Sequence, residues 1–190
     1  IYTVGDLEHM GIHPLAYRAF TFQAHYRTPL TFSLDALQAT QTALVRIWEQ
    51  VAELVQTAEP EEMEPETEAY RFRFHEAINH DLDLPGAMVV LHELLGTKLT
   101  AGQKLGAVAD FDRVLGLSLI ERGEMLSRIS PEEEALLAER ATARQSKEWA
   151  RSDELRAELA AHGLEVRDSA GGQRWVRREV LQRPKEPLTP

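Results

Sequence analysis

Apolar residues recur at steps of three, four and seven along most of this sequence, and that spacing commits the chain to amphipathic helices. The clearest run follows Ser33, a residue suited to an N-cap, where Leu37, Leu44, Ile47, Val51 and Leu54 form one stripe of a long helix. A helix within 14–27 precedes it, with Leu15, Phe20 and Phe22 among its apolar positions, and Pro29 prevents its continuation. Tyr17, Phe20, Phe22 and Tyr26 read most simply as core aromatics. The Glu- and Pro-rich stretch 59–66 holds too little apolar surface to bury and is expected to be an exposed loop. Three further helices are expected. One runs from Thr67 to Asn79 with Tyr70, Phe74 and Ile78 on one face. A second is capped by Asp83, carries Pro85 in its first turn and ends at Gly96. The third lies within 101–116 and presents Leu105, Val108, Phe111 and Leu115.

The apolar stripe weakens over Gly123–Ser130, as at a domain junction. Ser130-Pro131-Glu132-Glu133 then combines an N-cap, an early proline and a glutamate three residues after the cap, a strong helix start. That helix is expected to reach about Arg144, and a second to cover Lys147 to His162 before Gly163. Two short segments, Leu164–Asp168 and Gln173–Arg177, flank Ser169-Ala170-Gly171-Gly172 and predict a small β-hairpin. The expected fold is mainly α: a bundle of about five helices over 1–128, a small helix–helix–β-hairpin module over 129–180, and a disordered, proline-containing tail over 181–190.

Charge divides the chain unevenly. Residues 1–134 hold 10 Lys/Arg against 22 Asp/Glu, whereas residues 135–190 hold 11 against 9, so the overall −10 belongs to the first two-thirds. A polyanionic partner is therefore sought in the last third. No run approaches the roughly 20 apolar residues of a membrane span, so no membrane partner is expected. The chain has no cysteine, which excludes disulfides and thiolate metal sites and is compatible with a reducing, cytoplasmic setting.

No catalytic constellation is legible. There is no phosphate-cradling glycine loop, and His92-Glu93 lacks a second histidine four residues on. His75 and His80 lack the further ligands a zinc site needs, and Asp81 and Asp83 suit capping better than acid–base chemistry. The last third offers more. Arg140, Arg144, Lys147, Arg151 and Arg156 place five cations on two consecutive helices around Trp149, with Asp153 four residues on and hence on the same face. A flat ring among cations can stack on an unpaired base. The competing expectation is that Trp149 packs under the hairpin against Leu164 and Trp175 while the charges form a solvated face, and composition alone favours it.

The stretch from Arg140 to Arg156, RATARQSKEWARSDELR, resembles the C-terminal helices of cysteinyl-tRNA synthetases, where R-x-x-A-R-x-x-K-[DE]-[FW]-A-x-[AS]-D-x-[IL]-R precedes a hairpin of the form G-I-x-[LV]-x-D-x-x-x-G-T-x-W. Here the hairpin reads Gly163-Leu164-Glu165-Val166-Arg167-Asp168, then Gly172 and Trp175. Ile1–Leu7 is similar to the segment that follows the family's KMSKS signature. His13–Arg18 with His25–Ser33 resembles its D-P-L-A-L-R…H-Y-R-S-P-L-N-F-S, and Phe74–Ala87 its F-x-x-A-M-x-x-D-[FL]-[ND]-T-P-x-A. His13, Tyr17 and Leu84 depart from the usual aspartate, leucine and threonine.

The resemblance implies the helical anticodon-binding fold of class I tRNA synthetases, a bundle along the inner side of the tRNA and a terminal module that reads the anticodon GCA. It assigns base reading to Trp149, Asp153 and Asp168, with Arg140, Arg144, Lys147 and Arg151 expected at the RNA backbone. Carboxylates only accept hydrogen bonds, which suits the amino and imino donors of guanine and cytosine. In the family the catalytic domain, with its ATP site and zinc ligands, precedes the segment that resembles Ile1. The chain is thus expected to bear no cofactor or catalytic residue, to be inactive alone, and to have that domain in cis if it is a fragment. The alternative is a free-standing relative without a catalytic domain, acting in RNA binding or protein interaction.

Overall fold

The computed structural model describes residues 2–59, 65–169 and 172–178. Among these the chain forms α1 (Val4–His9), α2 (Pro14–Thr21), α3 (Leu34–Thr57), α4 (Pro65–Asn79), α5 (Leu84–Gly96), α6 (Ala101–Leu115), α7 (Leu119–Leu126), α8 (Pro131–Gln145), α9 (Trp149–Ala161), β1 (Leu164–Ser169) and β2 (Gly172–Arg177). The fold is mainly α, as the periodicity demands. The long helix α3 is its axis. Ser33 caps it, its oxygen accepting from the Ala36 N–H at 3.1 Å, and α2, α6, α7 and β2 all pack against it.

The bundle holds two helices beyond the five expected. Helix α1 opens with a capping box in which Thr3 and Asp6 satisfy each other's backbone N–H groups. Helix α7 ends within the stretch Gly123–Ser130 read as a junction, and its Leu119 and Leu126 are buried. It lies so close to α3 that a Cβ on Gly123 would stand 2.6 Å from Val51 Cγ1. The helix expected over 14–27 stops at Thr21. Phe20 and Phe22 are core residues, whereas Tyr17 and Tyr26 are exposed, the Tyr26 hydroxyl donating to Asp81 at 2.8 Å. Asp83 caps α5 through the Gly86 N–H at 3.0 Å; Asp81 caps nothing and sits in the left-handed region at φ 57°.

Trp48 is fully buried at the centre of the bundle and donates its indole N–H to the Leu117 carbonyl at 3.0 Å. His13, at the position where the resemblance departs, lies edge-on to Trp48 and accepts the Leu15 N–H as the cap of α2. Burial, and then Arg122 beside it, push the His13 imidazole below its ordinary pKa, so a neutral ring does the capping.

The last elements are set by the same local rules. Ser130 and Glu133 complete the expected capping box of α8. The two strands pair antiparallel, with Val166 opposite Trp175 and Asp168 opposite Gln173. One face of the hairpin sends Leu164 and Val166 onto Leu137 of α8 and Leu159 of α9, with Trp175 at its edge. The other face turns Val176 inward where β2 meets α3. The tail expected over 181–190 and the loop residues 60–64 lie outside the described residues.

Candidate nucleic-acid interface

Helices α8 and α9 are joined by a tight reversal. The Glu148 N–H donates to the Ala143 carbonyl at 2.8 Å and the Lys147 N–H to Arg144 at 3.1 Å, the double bond of a Schellman turn. That turn requires a left-handed residue, and Lys147 supplies it at φ 61°. As a result α9 begins at Trp149 and not at Lys147, and Trp149 is thrown outward at the helix start. The indole is 55% exposed and takes no part in the module's apolar cluster, where Trp175 packs instead. The Arg144 guanidinium lies 5.7 Å from the centre of the Trp149 ring, within cation–π range.

Arg144 links this ring to the hairpin. Its Nη1 stands 3.1 Å from Asp168 Oδ2, so the indole, the guanidinium and the carboxylate form one patch. Arg140 binds the same carboxylate from below with both terminal nitrogens, Nη1 to Oδ1 and Nη2 to Oδ2, each at 3.0 Å. Arg140 first, then Arg144 and Arg156, hold the Asp168 carboxyl below its usual range. Beside Asp168 a polar cleft of about 190 Å³ opens between α8 and the hairpin turn, lined by Ala141, Arg144, Gln145, Asp168, Gly172 and Gln173. Asp153 is exposed on the outer face of α9, four residues from Trp149.

The expected backbone contacts divide. Lys147 is exposed at the turn, and Arg144 reaches the surface beside Asp168. Arg151 is exposed but already engaged, donating to Glu139 at 2.7 and 2.9 Å and to Glu154 at 3.0 Å. Arg140, expected at the RNA backbone, is not at the surface. It is 1% exposed, and its guanidinium is spent on Asp168 and Gln173. The physical reason is its spacing: three residues after Leu137, it lies on the inward stripe of α8. The residues the sequence did not single out are Gln173 and Gln145, neither of which carries a charge to mark it.

Elsewhere, His75 Nε2 donates to Asp110 at 2.8 Å, and the same carboxylate accepts from Arg71 at 3.1 Å, a part-buried link between α4 and α6. Among the described residues no group of three or more His, Asp or Glu is arranged to hold a metal ion, and no helix is long and apolar enough to cross a membrane.

The described residues thus form a helical bundle bearing a helix–helix–hairpin module, with an outward tryptophan linked through Arg144 to Asp168. Residues 126–175 match the family described as the cysteinyl-tRNA ligase anticodon binding domain, and this part of the chain belongs to it. The likeness extends over most of the chain. A cysteine–tRNA ligase of Novosphingobium aromaticivorans is 42% identical over 169 residues, covering 83% of this chain and 34% of the relative. Cysteine–tRNA ligase 1 of Burkholderia lata is 38% identical over 168 residues, covering 88% and 34%. The cysteine–tRNA ligase of Legionella pneumophila strain Philadelphia 1 is 31% identical over 185 residues, covering 93% and 39%. The chain thus spans about a third of the length of the relatives it matches.

Proposed function

We propose that this chain is the tRNA-binding region of a cysteine–tRNA ligase and that its terminal module reads the anticodon GCA. The observation that carries the reading is the exposed Trp149 ring, with Arg144 against it and Asp168 on the far side of that arginine. A tryptophan buried in the small apolar cluster would serve stability. One standing outward among cations is available to a base, and base–aromatic stacking contributes about 1–3 kcal/mol. Asp153 and Asp168 offer acceptors to base donors, while Lys147 and Arg144 meet phosphates. Arg151 adds less, because Glu139 and Glu154 already neutralise it. ATP and zinc belong in this reading to a catalytic domain of the whole ligase.

The test is Trp149→Ala, measured twice: by affinity for a synthetic anticodon stem-loop carrying GCA, and by melting temperature. The expected result is an affinity loss of about 5- to 150-fold with little change in melting. Unchanged affinity, with a lowered melting temperature, would overturn the reading.

A further inference from the structure

Arg140 is costly where it stands. A guanidinium removed from water forfeits several kcal/mol of hydration, and an apolar side chain in its place is often as stable or more so. Arg140 is not even fully paired: its Nε is buried with no hydrogen-bond partner. What it does make is a directed arrangement. Nη1 donates to Asp168 Oδ1 at 3.0 Å and to Gln173 Oε1 at 2.9 Å, and Nη2 to Asp168 Oδ2 at 3.0 Å. Gln173 is itself fixed, its amide donating to the Leu137 carbonyl at 2.5 Å. A backbone oxygen of α8 therefore orients the Gln173 amide, the amide orients the guanidinium, and the guanidinium holds both oxygens of Asp168 in one plane.

We propose that Arg140 and Gln173 are positioning residues that aim Asp168 at an incoming base, Arg140 from beneath without touching RNA itself and Gln173 from the wall of the same cleft. This rests on the anticodon reading above. A carboxylate has about four acceptor positions, and three are taken here by Arg140 and Arg144. The fourth is left to the cleft that Asp168 lines. A freely rotating aspartate would accept from a donor at many angles and discriminate poorly; one held by a fork accepts along a single direction. Lysine at this position would keep the charge but lose the two parallel bonds.

The experiment uses the full chain and four RNA stem-loops, one carrying GCA and three each altered at one anticodon base. Arg140→Lys is expected to reduce discrimination about tenfold at the single position that Asp168→Ala also affects, in keeping with the usual worth of a base–side-chain pair. Discrimination at the other two positions and the salt dependence should not move. In an Asp168→Ala background Arg140→Lys should cost no further discrimination, because the residue acts only through Asp168. If Arg140→Lys unfolds the module, Gln173→Ala carries the same test, since it leaves the buried charge paired. The proposal is overturned if a folded Arg140→Lys or Gln173→Ala chain discriminates as the wild type does, or if the loss persists without Asp168. A wild-type chain with no preference for GCA, or an Asp168→Ala chain with full preference, fails the reading itself and takes this inference with it; failure of Arg140→Lys alone leaves the reading intact.

Discussion

Lys147 carries two opposed demands. Its backbone sits at φ 61°, where a side chain with a Cβ is disfavoured by roughly 1–2 kcal/mol, yet its side chain is exposed two residues before Trp149, where the proposed function has it meet a phosphate. Lys147→Gly should therefore stabilise the chain by about 1 kcal/mol in urea unfolding. It should also weaken binding to all stem-loop sequences alike and lower the slope of log affinity against log salt by about one unit. A variant that gains stability and keeps the wild-type salt slope would show that Lys147 has no phosphate to meet. The same residue explains one boundary misread from sequence. Glycine is the usual sign of such a turn, and a lysine there gives no warning that α9 begins at Trp149. Arg140 is the converse case, because its place was legible. Glu133, Leu137, Arg140 and Ala143 step by four, three and three along α8 and are all buried, and a residue three after a core leucine on a helix is inward whatever its charge. Counting cations obscured what spacing showed.

At the scale of elements, long stripes and caps were the readable part: α3, α5, α6 and α8 each start where a Ser, Asp or Thr side chain meets a backbone N–H. The short helices were not. An eight-residue helix such as α7 shows barely two turns of periodicity, and Gly123 in its middle argues against a helix by propensity. Its glycine answers to tertiary packing, since the α3–α7 crossing leaves no room for a Cβ. Alanine ordinarily improves a helix interior by about 1 kcal/mol over glycine. Gly123→Ala should nonetheless destabilise this chain by about 1–3 kcal/mol through overpacking against Val51. Pairing it with Val51→Ala, which removes the Cγ1 that the new methyl would strike, should recover part of that loss. Denaturant unfolding of the two single variants and the double decides it: additive losses would place the conflict elsewhere.

Across the whole molecule the hairpin is held on both faces. Arg177 at its open end bonds Glu133 at 2.7 Å, the Arg128 carbonyl at 3.1 Å and the His162 carbonyl at 3.1 Å, closing the module on itself. Burial pushes the Glu133 carboxyl up, but Arg177 and the Ser130 cap outweigh it and bring it below the ordinary value. The next residue faces the bundle: Arg178 bonds both Glu165 and the largely buried Glu49 of α3, and Arg167 stands 3.8 Å from Glu53. Removing these links in Arg167→Ala/Arg178→Ala should loosen the module from α3 while each half keeps its fold. Hydrogen exchange would show this as faster exchange confined to β2 and the adjoining face of α3. Unchanged protection there would mean that Val176 and its apolar surroundings suffice.

The two pairs on α3 also obey a vernier. Glu49 and Glu53 are four helical residues apart, about 6 Å along the axis; Glu49 binds Arg178, which also holds Glu165, and Glu53 faces Arg167, so the two helix residues are matched to Glu165 and Arg167, two strand residues or about 6.8 Å apart. The strand and the helix thus run in phase over this stretch. Asp168 is the next residue of the same strand and points to the opposite face, so its direction is tied to that phase by the pleat. Sliding β1 by one residue would bring Asp168 round to α3 and send Arg167 to the face that Asp168 now occupies, exchanging an acceptor for a donor. The seating of the module on the bundle and the chemical sense of the face it turns toward Arg140 are, in this chain, one coordinate.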